Sequence, residues 1–183
     1  NNNKTYSYDS NRIDYNHMYY SNSEAKNILE NWYNTNIKTV SSEYVANGSY
    51  YCEQAKTKVS QNWTSGNAIM DLYSSYIPDF KCKTDGNGKG IVNASIGLLS
   101  YDEAVFAGSY YKKSNETSYL INYYWWTMSP AGFSSEANVY YVREPGDIDY
   151  SWVNNNSYYL RPVLNLKSDT SASGNGTNSD PFI

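Results

Sequence analysis

The sequence predicts a single α+β domain in which two helices pack on a small, twisted antiparallel sheet, with long irregular loops. The first half carries helix-type spacing of apolar residues, and the second half carries short alternating runs bounded by Gly, Pro and Ser. Aromatic residues make up 17% of the 183 residues, which argues against disorder and supplies a core. We expect a helical and loop-rich half over 1–95, a sheet-rich half over 96–170 and a flexible tail over 171–183.

The first helix is predicted over about residues 22–34. Ser23 or Asn22 is suited to the N-cap position, and Glu24 falls in the first turn. Four apolar residues follow at helical spacing and therefore share one face: Ala25, Ile28, Leu29 and Trp32.

The second helix is predicted over about residues 100–108 by a capping box. In this motif the Ser100 hydroxyl accepts from the Glu103 backbone N–H, and the Glu103 carboxylate reaches back to the Ser100 N–H. Gly108 ends the helix, because glycine readily adopts the conformation required at a helix C-terminus.

Three short strands are predicted in the second half: 123–128, 137–142 and 159–166. Side chains alternate between the two faces of a strand. The expected core face of the middle strand carries Ala137, Val139 and Tyr141. Asn138 and Tyr140 are expected to be exposed on the opposite face.

Composition and charge exclude several function classes. The one histidine, His17, excludes zinc sites built from two or three imidazoles, and a Ser-His-Asp or Cys-His arrangement would have to use it as the base. The formal net charge of −4 argues against binding to a nucleic-acid backbone, so we expect no nucleic-acid partner. No apolar run reaches the length of about 18 residues that a transmembrane helix needs, so we expect no membrane-spanning segment.

The two cysteines, Cys52 and Cys82, are either buried free thiols or one disulfide. The Tyr-, Asn- and Ser-rich composition suits an extracellular protein, and we expect the disulfide. Such a bond would stabilise the domain by roughly 3 kcal/mol, mostly by restricting the unfolded chain.

Several motifs resemble those of a family of surface proteins from gut Firmicutes. They are IGLLSYDEAVFAG at 96–108, YWWTMSP at 124–130, YLRPVLNLKS at 159–168 and the ending GNGTNSDPF at 174–182. The resemblance covers most of the chain, and the family is similar to the C-type-lectin fold in its formylglycine-generating-enzyme-like form. That group includes the variable proteins of diversity-generating retroelements. The resemblance implies a C-type-lectin-like binding domain, an adhesin that is secreted or held at a bacterial cell surface.

The chain departs from this wider group at its chemical sites. The sulfatase-activating members depend on cysteines in the C-terminal half, and this sequence has none after Cys82. The calcium motifs of sugar-binding lectins are matched incompletely, because the match fails at Gly146 and at Asn154, whose amide carries no ligand charge. We therefore expect no cofactor and no metal ion.

The candidate binding face lies within 123–160, a run rich in Tyr, Trp, Asn and Ser. Tyr and Trp offer large, stiff contact areas with a polar tip, and Ser and Asn offer adaptable hydrogen bonds, as in antibody paratopes. The resemblance implies that such a face is hypervariable. The candidate ligand-binding residues are Tyr124, Phe133, Ser134, Glu136, Asn138, Tyr140, Arg143, Asp147, Asp149, Tyr150, Trp152, Asn154, Asn155 and Tyr158. Arg161 is expected to be structural and paired inside the fold.

Three functions remain open. The sequence favours a non-enzymatic recognition domain that binds a protein or glycan ligand on another cell or host surface. A carbohydrate-active hydrolase would need two acids from a set of four, with carboxyl groups roughly 5–9 Å apart. That set consists of Glu136, Glu144, Asp147 and Asp149. The third function is a structural subunit of a pilus or cell wall.

Overall fold

The computed structural model of the chain describes residues 4–41, 43–53, 68–69, 77–78, 80, 82, 90–116, 118, 120, 123–171, 173–175, 177 and 179–180. Its helices are α1 (Glu24–Asn36) and α2 (Tyr101–Phe106), preceded by 3-10 helices at Tyr15–Met18 and Tyr20–Asn22. Its strands are β1 (Ser49–Cys52), β2 (Ala68–Ile69), β3 (Ile91–Ala94), β4 (Tyr110–Tyr111), β5 (Trp125–Phe133), β6 (Ala137–Arg143), β7 (Asp147–Trp152) and β8 (Tyr159–Leu160). None of the helices within these ranges has the length and apolarity that a membrane crossing requires.

Most of the strand residues belong to a mixed six-stranded sheet. Its strand order is β2-β5-β6-β7-β4, and β8 also pairs with β5. The three long strands β5, β6 and β7 form an antiparallel meander, whereas β4 runs parallel to β7 and β8 runs parallel to β5. A separate antiparallel pair consists of β1 and β3.

The predicted fold, two helices on a small antiparallel sheet of C-type-lectin type, is wrong. Sheet dominates the structure, and among the described residues α1 is the one long helix. The capping box of Ser100 and Glu103 forms as predicted, but α2 ends after six residues. Gly108 adopts φ +98° there, and the Ser109 N–H donates to the Ala104 carbonyl, which completes a Schellman motif.

The mixed character of the sheet was not predicted because its parallel strands are very short. β4 contains two residues, too few to show an alternating pattern, and the strand predicted over 159–166 is reduced to the two residues of β8. β5, in contrast, is longer than predicted and continues through Pro130 to Phe133. Register shifts on both sides of Pro130 allow this, since proline cannot donate to a regular sheet ladder.

Helix α1 begins as predicted, and its apolar stripe also forms part of a groove. The Ser23 hydroxyl accepts from the Lys26 backbone N–H at 3.1 Å. Ala25 and Leu29 are buried, but Trp32 is 41% exposed, so the stripe extends beyond the core. A groove of about 290 Å³ runs along this edge of the helix. It is lined by Lys4, Tyr6, Ile28, Leu29, Trp32, Tyr159, Leu160 and Pro162.

Strand β6 lies at the centre of the core, and the predicted exposure of Asn138 and Tyr140 is wrong. Both side chains are buried, together with the rest of the strand up to Val142. The alternation rule fails here because the sheet is covered on both faces. Tyr101 of α2 packs on Tyr140 with ring centroids 4.6 Å apart. A strand buried on both faces has no solvent side to which alternate residues could point.

The predicted disulfide between Cys52 and Cys82 is confirmed. It joins the end of β1 to residue 82. Most of the loop expected between the cysteines lies outside the described residues, as does about half of the tail expected to be flexible over 171–183.

Candidate functional site

The register of the meander divides the predicted site residues between two faces of the sheet. Tyr141 is paired with Asp149 and with Trp126, and Arg143 is paired with Asp147. Because paired residues of antiparallel strands point to the same side, these five share one face, here called the Tyr141 face. The opposite face, called the Tyr140 face, carries Asn138, Tyr140, Val142, Tyr150 and Trp152.

Three tyrosines form a layered cluster on the Tyr141 face. Tyr158 stacks on Tyr141 with ring centroids 4.2 Å apart and an interplanar angle of 17°. Tyr124 leans against both rings, at centroid distances of 6.2 and 6.3 Å. Tyr141 is buried, Tyr158 is half-buried and Tyr124 is 43% exposed, so the cluster rises from the core to the surface. We call Tyr124, Tyr141 and Tyr158 the tyrosine platform.

Neighbouring groups hold the platform in place. The Asn155 amide donates to the Tyr158 hydroxyl at 3.2 Å and to the Ser151 hydroxyl at 3.1 Å. The edge of Trp126 packs against Tyr158 at a centroid distance of 4.6 Å, and the Trp126 indole N–H donates to the Tyr6 carbonyl. The Tyr158 carbonyl in turn accepts from the Tyr6 N–H at 2.7 Å. These contacts fix the ring of Tyr158 before any ligand arrives.

The buried phenol of the platform stays protonated well into the alkaline range. Burial raises the pKa of Tyr141, and the hydrogen bond with Tyr158 raises it further. At neutral pH the base of the platform is therefore a neutral phenol.

A pair of carboxylates and an arginine flank the platform. Arg143 Nε lies 2.8 Å from both Asp147 oxygens, and Arg143 Nη2 lies 2.7 Å from Asp147 Oδ2. Arg143 Nη1 lies 3.5 Å from Asp149 Oδ2, and Lys112 Nζ lies 3.9 Å from Asp149 Oδ1. The hydrogen bonds with Asp147 raise the pKa of Arg143. Asp147 is buried, so it orients the guanidinium, while Arg143 and Asp149 remain partly exposed. We call Arg143, Asp147 and Asp149 the charged flank.

A second group of predicted residues gathers around Arg12, at the other end of β6. Arg12 Nε lies 3.2 Å from Glu136 Oε1, and the guanidinium carbon lies 5.4 Å from the centroid of the Trp152 ring. Phe133 packs edge-on against Tyr15. Trp152 is exposed, whereas Phe133 is half-buried.

The remaining predicted residues join neither group. Asn138 and Tyr140 are buried in the core, as described above. Tyr150 stacks on Tyr111 at 6.4 Å on the Tyr140 face. Ser134 and Asn154 are exposed in turns. The single face expected for all the candidates is therefore wrong, and six of them share the platform and its surroundings: Tyr124, Arg143, Asp147, Asp149, Asn155 and Tyr158.

Sequence reasoning misplaced one residue outside the strands and missed others. The predicted burial of Tyr141 is confirmed, and its ring is also the base of the platform. Arg161 is exposed, with its guanidinium 5.5 Å from the centroid of the Trp125 ring, and is not paired inside the fold as predicted. Lys112 and Arg12 come from segments that are remote in sequence, and no local pattern connects them with the strands that they contact.

Among the described residues, the neighbours of His17 do not form the arrangement of a catalytic triad. Its Nδ1 lies 2.9 Å from Asp9 Oδ1, and its Nε2 lies 3.3 Å from the Asn11 amide nitrogen. A catalytic triad would place a hydroxyl or thiol at the second nitrogen, where Asn11 stands. The described residues also include no group of three or more His, Cys, Asp or Glu arranged to hold a metal ion.

Comparisons of the chain with protein-family models, with curated proteins and with solved structures give no match. The resemblance to surface proteins of gut Firmicutes therefore stays a prediction.

Proposed function

We propose that this chain is a non-enzymatic recognition domain of an extracellular or cell-surface protein. Its ligand is a protein or glycan on another cell or host surface, and the contact surface is the tyrosine platform with the charged flank. Tyr and Arg are the residues most often found as anchors of binding interfaces, and here both types lie side by side.

The observation that carries this proposal is the fixed geometry of Tyr158. Its ring is stacked on Tyr141 and its hydroxyl accepts a hydrogen bond from Asn155. Arg143 is held in the same way by a buried carboxylate, that of Asp147. Side chains that are ordered beforehand lose little conformational entropy on association, so a small surface retains useful affinity.

The disulfide supports an extracellular location. Bonds of this kind persist in oxidising environments and are rare in the cytosol. The resemblance to bacterial surface proteins, which rests on the motifs of the second half, agrees with this location.

The hydrolase hypothesis needs two acids from its set of four, and three of the four are engaged by arginines. Asp147 and Asp149 are both bound to Arg143, and Glu136 is bound to Arg12 at the other end of β6. A glycosidase requires two carboxyl groups that face a substrate from opposite sides of the bond to be cleaved. Carboxylates held in ion pairs with arginine do not provide this arrangement.

The proposal is tested by measuring how the fluorescently labelled chain binds to cultured epithelial cells and to Gram-positive bacterial cells. We expect Tyr124→Ala and Tyr158→Ala to weaken binding by about tenfold or more, the effect of removing an anchor worth over 1 kcal/mol. Tyr50→Ala is the matched control, because Tyr50 is a tyrosine that is 73% exposed on β1, outside the platform. Binding that neither platform substitution changes would contradict the proposal.

A further inference from the structure

The formal charges around the platform cancel. Arg143 and Lys112 contribute two positive charges, and Asp147 and Asp149 contribute two negative ones, all within the contacts described above. A ligand with a net charge would gain little Coulomb energy from such a surface, whereas a neutral ligand would lose none. The charged flank therefore acts as a set of hydrogen-bonding groups.

A donor and an acceptor stand next to each other on this flank. Arg143 uses Nε and Nη2 to bind Asp147, which leaves Nη1 directed towards Asp149 at the longer distance of 3.5 Å. Arginine only donates and an ionised aspartate only accepts, but a hydroxyl group does both. Vicinal hydroxyl groups of a ligand would satisfy the two side chains together.

The rings of the platform supply an apolar surface beside this polar pair. Tyr141 covers one side of Tyr158, and the exposed parts of Tyr158 and Tyr124 face the solvent. The face of an aromatic ring carries partial negative charge and attracts the positive ends of C–H bonds. A pyranose ring has such a face of C–H groups, with hydroxyl groups around its rim.

The size of the surface favours a small ligand unit over a protein. A protein partner typically covers about 800 Å² on each side of an interface. In the platform and flank, Tyr141 and Asp147 are buried, Tyr158 is half-buried, and 36% of the Arg143 side chain and 19% of the Asp149 side chain are exposed. The exposed parts of these few side chains match the dimensions of one or two sugar units.

We propose that the ligand is a neutral glycan, with one pyranose ring stacked on Tyr158 and Tyr124 and with its hydroxyl groups bound by Arg143 and Asp149. This inference rests on the proposed recognition function and narrows it to one ligand class. It assigns separate tasks to the side chains: the tyrosines hold the ring, and the flank selects the arrangement of hydroxyl groups.

The first test is binding of the full chain to an array of immobilised neutral and acidic oligosaccharides. We expect binding to a subset of the neutral glycans, with the affinity of each positive glycan then measured by calorimetry. Tyr158→Ala and Asp149→Asn should each weaken this affinity by about tenfold or more. Tyr158→Phe keeps the ring and should lose no more than about threefold, since it removes only the hydrogen bonds of the hydroxyl with Asn155 and Tyr141. Tyr50→Ala should leave the affinity unchanged.

Three outcomes would overturn the inference: binding to acidic glycans alone, no glycan binding at all, or affinity for a neutral glycan that Tyr158→Ala does not change. Treating the target cells with periodate or with protease distinguishes failure of the glycan inference from failure of the proposed recognition function. Periodate destroys vicinal diols of glycans and should abolish cell binding. If platform-dependent binding survives periodate but is lost after protease treatment, the ligand is a protein, and the recognition function stands without the glycan.

Discussion

The two faces of β6 carry adjacent tyrosines with different surroundings. Tyr140 packs between Tyr101 of α2, Tyr111 and Tyr150, and it is completely buried. Tyr141 is nearly as buried, but the rings that cover it, Tyr158 and Tyr124, themselves reach the surface. The same residue type therefore serves as core on one face and as the base of a surface cluster on the other.

The two faces of the sheet differ in burial because different parts of the chain pack on them. Helix α2 is fixed over the Tyr140 face by backbone hydrogen bonds at its start: the Tyr101 N–H donates to the Ser129 hydroxyl at 2.9 Å, and the Met128 N–H donates to the Leu99 carbonyl at 2.9 Å. The part of the Tyr141 face that carries the platform is covered by the side chains of Tyr124, just before β5, and Tyr158, just before β8. A tyrosine becomes available to a ligand where such a thin layer, and no helix, lies above the sheet.

The largest expected effect comes from Tyr140→Ala. It removes a fully buried ring from the Tyr140 face, and losing a large aromatic side chain from a core costs about 3–5 kcal/mol. The free energy of unfolding, measured by urea denaturation, should fall by that amount.

Tyr124→Ala is the matched substitution on the other face. Tyr124 is substantially exposed, so its removal should change the free energy of unfolding by no more than about 0.5–1 kcal/mol. Equal destabilisation by the two substitutions would show that Tyr124 belongs to the core as Tyr140 does, and the proposed difference between the two faces would be wrong.

Local signals in the sequence predicted local features of the structure, although the predicted fold class is wrong. The Ser23 cap, the capping box at Ser100 and the pairing of Cys52 with Cys82 all follow from residues close in sequence or from composition, and all are present. The sheet was harder to predict because its parallel pairs join segments that are far apart in the chain. Tyr110 of β4, for example, pairs with Asp147.

The candidate site was predicted only in part for the same reason. The region 123–160 does contain the platform. However, the pairing of the strands decides on which face each residue lies, and the segments that pack above decide whether it is exposed. The pattern of a single strand reveals neither. The alternation of side chains along β6 predicted that Tyr140 is exposed and that Tyr141 is buried. What makes one of them core and the other the base of a platform is α2 and the segment before β8, and neither is visible from β6 alone.

The second expected effect is a loss of stability in alkali. Burial is the main cause of raised pKa values at six tyrosines, Tyr8, Tyr20, Tyr51, Tyr101, Tyr111 and Tyr141. The pKa of Tyr51 is raised to about 12, against about 10 in an unfolded chain. The unfolded chain therefore loses these protons first as the pH rises. The stabilising contribution is complete below about pH 10 and is lost as the pH rises through the folded-state values.

Absorbance of tyrosinate measures this effect directly. In the folded chain, a fraction of the 22 tyrosines should remain protonated above about pH 10, and in urea all of them should titrate together near the unfolded value. Tyr101 lies against the Tyr140 face, whereas Tyr141 is the base of the platform, so the experiment samples both faces. A single transition near pH 10 in the folded chain would mean that neither face is sealed from water.

The third expected effect comes from the ion pairs and compares the two arginine groups. Asp147→Asn keeps the shape of a buried side chain but removes the charge that orients Arg143, whose side chain is 36% exposed. Because the pair is only partly buried, we expect a loss of about 1–2 kcal/mol in the free energy of unfolding, below that of a fully buried pair. Glu136→Gln is the matched control, since both side chains of the Arg12–Glu136 pair are partly exposed, at 41% and 24%, and the pair should contribute about 0.5 kcal/mol or less. Urea denaturation distinguishes the two values, and a larger loss for Glu136→Gln would show that the group around Arg12, and not the charged flank, is the more rigidly held surface.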